Sequence, residues 1–244
     1  MTAPLSEGER LDDLQNGYYL IQRSDMFCLG TDSVLLADFA ALRSGEVCAD
    51  LGCGNGAIAL LLAGKRADAI IDGVEIQPRA ADMARRSVSY NGLDERVRVH
   101  LMDMRDAPAE LGRGRYSLVV CNPPYGAKDA TIPNPGEAER VARHETDLTP
   151  RDITDAAAKL LKFGGRFCLV YPAARLLEMT DAMRASSIEP KRVRPVQARA
   201  ARPPKVMLIE GIRGARPGLS FMAPLLIYDE SGVHSAEWHR IYDT

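Results

Sequence analysis

Short apolar runs alternate with corners and helical stretches in a fixed rotation from residue 47 onward, and this rotation limits the folds open to the chain. Val47 to Leu51 is a strand-like run, the loop Gly52 to Gly56 follows, and IALLLAG opens a helix. Ala69 to Val74 is a second strand, after which Pro78 starts a helix that stops at Asn91-Gly92. Val97 to Leu101 and Tyr116 to Cys121 supply two more strands. A helix from Thr149 to Leu161 ends at Gly164-Gly165, the strand RFCLVY follows, and Ala173 to Ala185 is helical again. Such a rotation specifies an α/β fold, a mainly parallel sheet with helices on both faces. Ahead of it, YYLIQRSDMFCLG is expected to form a hairpin turning at Arg-Ser-Asp, and Thr31-Asp32-Ser33 to cap a helix running to about Leu42. Behind it, Val206 to Ile212 and Phe221 to Tyr228 are expected to close the sheet as an antiparallel pair.

The chain has 244 residues, 46% hydrophobic and 26% charged. That is globular composition rather than a disordered or fibrous one. The longest apolar run, Ala57 to Gly64, is too short to cross a bilayer, and the polar N-terminus lacks the pattern of a secretory signal. The five cysteines form no CxxC or CxxxC pair. Reduced thiols and a cytoplasmic location are therefore expected, with no metal and no membrane partner. A net charge of -2 hides a local excess, because nine basic residues lie between Arg184 and Arg216 against only Glu189 and Glu210. Such a stretch is either a solvated face or a phosphate-facing patch.

In a doubly wound sheet ligands bind beyond the carboxyl ends of the strands. The first of these ends reads Asp50-Leu51-Gly52-Cys53-Gly54-Asn55-Gly56, whose glycines permit a sharp turn and close approach to a ligand. Its spacing departs from the dinucleotide G-x-G-x-x-G, and Asp50 would repel a pyrophosphate, so a nicotinamide oxidoreductase is disfavoured. Glu75 follows the second strand, where a carboxylate can accept both hydroxyls of a ribose. Asp103, beyond the third, could accept from an adenine amine, with Met102 and Met104 flanking it. Together these suit an adenosine moiety without phosphate. The fourth end, Asn122-Pro123-Pro124-Tyr125, combines fixed acceptors with a stacking ring and suits a planar substrate carrying an NH₂ group.

DLGCGNG, Glu75, Asp103 and NPPY stand in the order and rough spacing of class I S-adenosylmethionine-dependent methyltransferases, which the chain resembles, and NPPY resembles the branch acting on amino groups. The likeness extends to GTDSVLLADF, ARHE at Ala142 to Glu145, EPKRVRPV and the closing RGARPGLSFMAPLLIYDESG. Over nearly the whole chain it is similar to the bacterial tRNA adenine-N6 methyltransferases. That resemblance implies a Rossmann-like fold with seven strands and an antiparallel closing hairpin. It also implies one domain over 1–244, with 1–45 a hairpin and helix and 46–244 the core. It implies S-adenosylmethionine as cofactor, tRNA as partner, and the adenosine beside the anticodon of a valine tRNA as target. Cofactor contacts are then expected from Thr31, Asp32, Asp50, Gly52, Cys53, Gly54, Gly56, Glu75, Asp103 and Asn122, and catalysis from Asn122, Pro123, Pro124 and Tyr125. The basic stretch is expected to hold RNA phosphates through Lys191, Arg192, Arg194, Arg199, Arg202, Lys205 and Arg213. Ala215 stands where the family more often has glycine.

Two rival readings remain open at this level. One is a protein glutamine N5-methyltransferase, although fewer than fifty residues precede Asp50. The other is a non-catalytic RNA-binding protein of the same fold. Oligomeric state is open too. His144-Glu145 lacks the second histidine of a zinc motif, His100, His234 and His239 read as structural or exposed, and Trp238 reads as a pin for the tail.

Overall fold

The fold was obtained as a computed structural model, which describes residues 5–26, 28–124 and 148–242. Two strands, β1 (Glu9–Asp13) and β2 (Tyr19–Arg23), pair antiparallel as a separate ribbon. After them come α1 (Thr31–Phe39), β3 (Val47–Leu51), α2 (Ala57–Lys65), β4 (Ile70–Glu75), α3 (Pro78–Tyr90), β5 (Val97–Leu101), the single turn α4 (Ala107–Glu110) and β6 (Tyr116–Cys121). The chain continues through α5 (Pro150–Leu160), β7 (Leu161–Pro172), α6 (Leu176–Ala185), β8 (Ile188–Gln197), β9 (Val206–Arg213), β10 (Ser220–Phe221), β11 (Leu225–Leu226) and α7 (Ala236–Tyr242).

The main sheet runs β10-β8-β9-β7-β6-β3-β4-β5, with β11 also on β8. Strands β5, β4, β3, β6 and β7 are mutually parallel, and β9 lies antiparallel between β7 and β8. Seven strands of five or more residues thus carry the sheet, and β10 and β11 add two residues each at the β8 edge. This is the seven-stranded arrangement with an antiparallel strand that the resemblance implies.

Side-chain alternation sorts the core into two layers. Leu118, Val120, Cys168 and Val170 face α1 and α2, whereas Val119, Cys121, Phe167 and Leu169 face α5 and α6. Helix α5 begins with Thr149 and Asp152 in a reciprocal capping box, and its alanine-rich face packs on β6 and β7. The cysteines are all free, and four of the five are buried. Among the described residues no helix is long and apolar enough to cross a membrane.

Four expectations are corrected. The hairpin lies one strand earlier: Arg23 ends its second strand, and Ser24-Asp25 follow that strand instead of joining the pair. Its first strand, ERLDD, is charged at four of its five positions and packs in a two-stranded ribbon, so it carries little apolar signal. Gly30, not Thr31, is the cap residue of α1, without any side-chain cap, and Thr31-Asp32-Ser33 form its first turn. Helix α5 ends at Leu160 and β7 starts at once, with a bulge opposite Tyr116 and Leu118 taking up Gly164-Gly165. The antiparallel closing pair is β8 with β9. Pro224 interrupts 221–228, leaving two short pieces that run parallel to β8.

Candidate active site

Because β6, β3, β4 and β5 are neighbours and parallel, the four polar segments that follow them meet on one edge of the sheet. At the end of β3 the chain turns through Gly52, Gly54 and Gly56 with φ of +71°, +56° and +88°. These are left-handed values that a side chain would oppose. Gly56 also brings α2 against α3, since a Cβ there would stand 3.2 Å from Ala84 Cβ. The Gly52 and Cys53 amides both donate to Val74 O, at 2.9 and 3.0 Å, which stitches the loop to β4. Cys53 is buried against Gly73, where a Cβ would meet its sulfur at 2.9 Å. It is a packing residue with its thiol pushed up by burial.

Asp50 lies beneath this loop. It is fully buried, and neither carboxylate oxygen has a hydrogen-bond partner among the described residues. Burial, with the negative charge of Glu75 nearby, pushes its pKa up to about 7. Leaving a carboxylate buried and unpartnered costs several kcal/mol, so the fold holds it at a thermodynamic loss. Such a loss is common where a ligand supplies the missing charge.

Glu75 is 5% exposed and is held at both oxygens. Oε2 accepts from the Gly54 amide at 2.8 Å and Oε1 from the Gln77 amide at 2.8 Å. Burial raises its pKa, and these amides oppose the rise. The carboxylate is therefore fixed between the glycine loop and the start of α3, with further lone pairs for hydroxyl donors. Asp103, after β5, is bound by Arg105: Oδ1 accepts the backbone N at 2.9 Å and Nε at 3.0 Å, and the guanidinium also spans Oδ2. That partner keeps its carboxyl below the usual range. Arg105 is half exposed, so the pair is cheap to open. Two exposed apolar side chains border these acids, Ile76 beyond Glu75 and Leu101 before Met102. The sequence reading passed over both, although an apolar residue at a polar corner is the signal. The Met104 methyl reaches 3.7 Å from the position a Gly52 Cβ would take.

At the end of β6, Asn122 is half-buried, Pro123 buried and Pro124 exposed. Asn122 Nδ2 donates to Ser33 Oγ at 3.3 Å. Ser33 is buried in the first turn of α1, so Thr31 and Asp32 are tied to the same corner. This serine was not singled out from sequence, nor were Gln22 and Asn55, which fasten the ribbon to the glycine loop. Asn55 Nδ2 donates to Gln22 Oε1 at 3.4 Å, and the same oxygen accepts the Leu29 amide at 2.5 Å. Tyr125, His144 and Glu145 lie outside the described residues.

The basic stretch is divided. Arg192 grips buried Glu210 through Nε and Nη2 at 2.8 and 2.9 Å and covers the Phe39 ring. Arg194 spans both oxygens of Glu237 at 2.8 and 2.7 Å. Arg213 donates to the Leu161 carbonyl, and Lys191 to Arg216 O at 3.2 Å. Arg199, Arg202 and Lys205 are exposed. Trp238 is buried in a stack between His234 and Tyr242, centroids 4.8 and 4.1 Å away, and pins the tail as expected. His100 bonds Asp72 at 2.9 Å inside the sheet.

A family model described as the methyltransferase small domain matches residues 20–191. A protein of Porphyromonas gingivalis strain W83 named tRNA1(Val) (adenine(37)-N6)-methyltransferase is 31% identical over 222 residues, 87% of this chain and 86% of that one. A protein of the same name from Yersinia pseudotuberculosis is 37% identical over 145 residues, 59% of this chain and 56% of that one. Among solved structures, one described as a predicted O-methyltransferase from Agrobacterium tumefaciens superposes with a TM-score of 0.72 at 23% identity, covering 87% of this chain and 96% of that chain. A geranyl diphosphate methyltransferase in complex with S-adenosylmethionine gives 0.55 at 15% identity, covering 74% and 84%.

Proposed function

Since the chain belongs to the methyltransferase small-domain family, we propose that it transfers a methyl group from S-adenosylmethionine to the exocyclic N6 of an adenosine in tRNA, the one beside the anticodon of a valine tRNA. One observation carries the reading: the rigid Asn122-Pro123 corner stands beside an orphaned buried carboxylate and a three-glycine turn on a single sheet edge. The name of the 31% identical relative supports the substrate.

The residues present fit the cofactor. Gly52, Gly54 and Gly56 keep Cβ atoms out of the turn, Glu75 is set to accept hydroxyl donors, and Ile76 and Leu101 offer apolar surface to a purine. Asp103 can take an amine once Arg105 swings out. Asp50 is a near-neutral acid that ionises when positive charge enters the loop. Bound S-adenosylmethionine supplies an electrophilic methyl group and that positive charge.

What the chain itself does to the substrate follows from the corner. An adenine amine is a weak nucleophile because its lone pair is conjugated with the ring. Asn122 Oδ1 and the Pro123 carbonyl accept its two N–H bonds, which lets the nitrogen pyramidalise and stabilises the positive charge that develops there. Ser33 accepts from the amide nitrogen of Asn122 and so fixes the orientation of its carboxamide. No strong base is needed, because the alkylated ammonium is itself acidic. Tyr125 is assigned on sequence grounds to stack on a base already turned out of its helix, as anticodon-loop bases are.

The test offers labelled methyl donor with unmodified bulk tRNA and, separately, with a glutamine-bearing protein fraction. Label in the tRNA alone, lost in Asn122→Ala, is the expected result. Label in protein alone overturns the reading in favour of amide methylation.

A further inference from the structure

The sheet topology separates the basic stretch into groups with different surroundings. Strand β8 runs parallel to β6 and β3, so the β8–β9 connection, residues 198–205, leaves the sheet at its carboxyl edge, the edge that carries Asn122. The β9–β10 connection, with Arg216, and the start of β8, with Lys191, lie at the opposite edge. The central Arg192 and Arg194 are consumed by Glu210 and Glu237.

Within 198–205 stand Arg199, Arg202 and Lys205, all exposed, and no acidic residue. None of the three makes an ion pair among the described residues. Arg199 rests on the turn at Gly232, yet the nearby Asp229 carboxylate is turned into its own loop, where it accepts from Ser231 Oγ at 2.6 Å and the Val233 amide at 3.1 Å. Register gives the reach. Cys121 pairs with Leu169 on β7, while Pro172 on β7 pairs with Val206 and Val206 with Val196. The tip thus starts three residues beyond the level of Cys121 and two to three strands across. That places it about 10 Å further along the strand axis and about 10–14 Å to the side. A polyanion whose base enters the Asn122 corner would pass the tip a few nucleotides away.

We propose that the 198–205 hairpin tip is the phosphate-binding element of this site, with Arg199, Arg202 and Lys205 holding the RNA backbone beside the target base, and that Arg192, Arg194, Lys191 and Arg213 are not part of it. The proposal rests on the methylation of RNA put forward above. Unpaired exposed cations suit a backbone that must be gripped and released, since no internal ion pair has to be broken first.

The test compares two triple variants of equal charge change. One is Arg199→Ala, Arg202→Ala and Lys205→Ala at the tip. The other is Arg113→Ala, Lys162→Ala and Arg216→Ala, three exposed cations at the opposite edge. Affinity for unmodified tRNA is measured from low to high salt, and calorimetric cofactor binding reports that each variant is folded. The tip variant is expected to weaken RNA binding roughly tenfold or more near 0.1 M salt and to flatten the log–log salt slope by about 2, at roughly 0.7 per lost phosphate contact. The far-edge variant should leave the slope within about 0.5 of wild type. Equal effects of the two variants, or no effect of either, overturn the tip's role while wild type still methylates RNA. A wild type that methylates no RNA overturns the functional reading and this proposal with it.

Discussion

Replacing Asp50 with asparagine removes a charge that the fold has no partner for, and the size and sign of the effect follow from its burial. In the folded chain the Asp50 pKa stands at about 7 against an ordinary 3.8. Between those values the folded state keeps a proton that the unfolded chain has lost, so stability falls as pH rises through the window. The contribution is whole below 3.8, is gone at about 7 and stays flat above it. A difference of about three pKa units corresponds to roughly 4 kcal/mol. Asparagine is neutral throughout, but its two N–H donors find no acceptor there, at a cost of about 1–3 kcal/mol. Without cofactor, Asp50→Asn should therefore lie within about 1.5 kcal/mol of wild type near pH 5, where wild type has already lost roughly 1.6 kcal/mol, and be more stable near pH 8 by about 1–3 kcal/mol. For a chain of this size that is a Tm rise of roughly 2–10 °C. Thermal melts at pH 5, 6, 7 and 8 decide the matter. A difference between the two proteins that does not change with pH refutes the reasoning.

The same carboxylate should make cofactor affinity in the wild type strengthen as pH rises through about 7, with a proton released on binding, and Asp50→Asn should flatten that dependence in calorimetry run in two buffers. Asn122→Ala should bind cofactor normally while kcat falls about 10²–10³-fold, the range for deleting one preorganised polar contact to a developing charge; unchanged turnover removes its role. Ser33→Ala, which releases the Asn122 amide, should lower kcat roughly fivefold, about 1 kcal/mol for one buried hydrogen bond, with cofactor KM unmoved. Glu75→Gln places an NH₂ group against the Gly54 or Gln77 amide and should weaken cofactor binding by at least about tenfold, seen by calorimetry.

Much of the sheet could be read from the chain because β3, β5 and β6 are short apolar runs closed by strong corners, and those boundaries match to the residue. The four polar ends were legible for the same reason: parallel topology carries Asp50, Glu75, Asp103 and Asn122 to one edge without knowledge of any side-chain contact. Strand β8 was hidden, since two prolines and three cations in PKRVRP suppress the apolar signal. The partners that make its arginines structural, Glu210 and Glu237, lie 18 and 43 residues away. Ser33, Gln22 and Asn55 escaped for a similar reason. Each acts through hydrogen bonds to another element, and a polar residue in an apolar run signals burial without naming its partner. Asp103 was correctly seen as an acid at a corner, but its local pairing with Arg105 depends on a turn that composition does not specify.

The central claim is chemical: an amide-and-proline corner directs alkylation onto an aromatic NH₂. The most direct measurement incubates the protein with isotopically labelled S-adenosylmethionine and tRNA lacking modifications, digests the RNA to nucleosides, and identifies the labelled one by mass and chromatography. The account predicts N6-methyladenosine. Label on a ring nitrogen, on a ribose oxygen or on another base contradicts it.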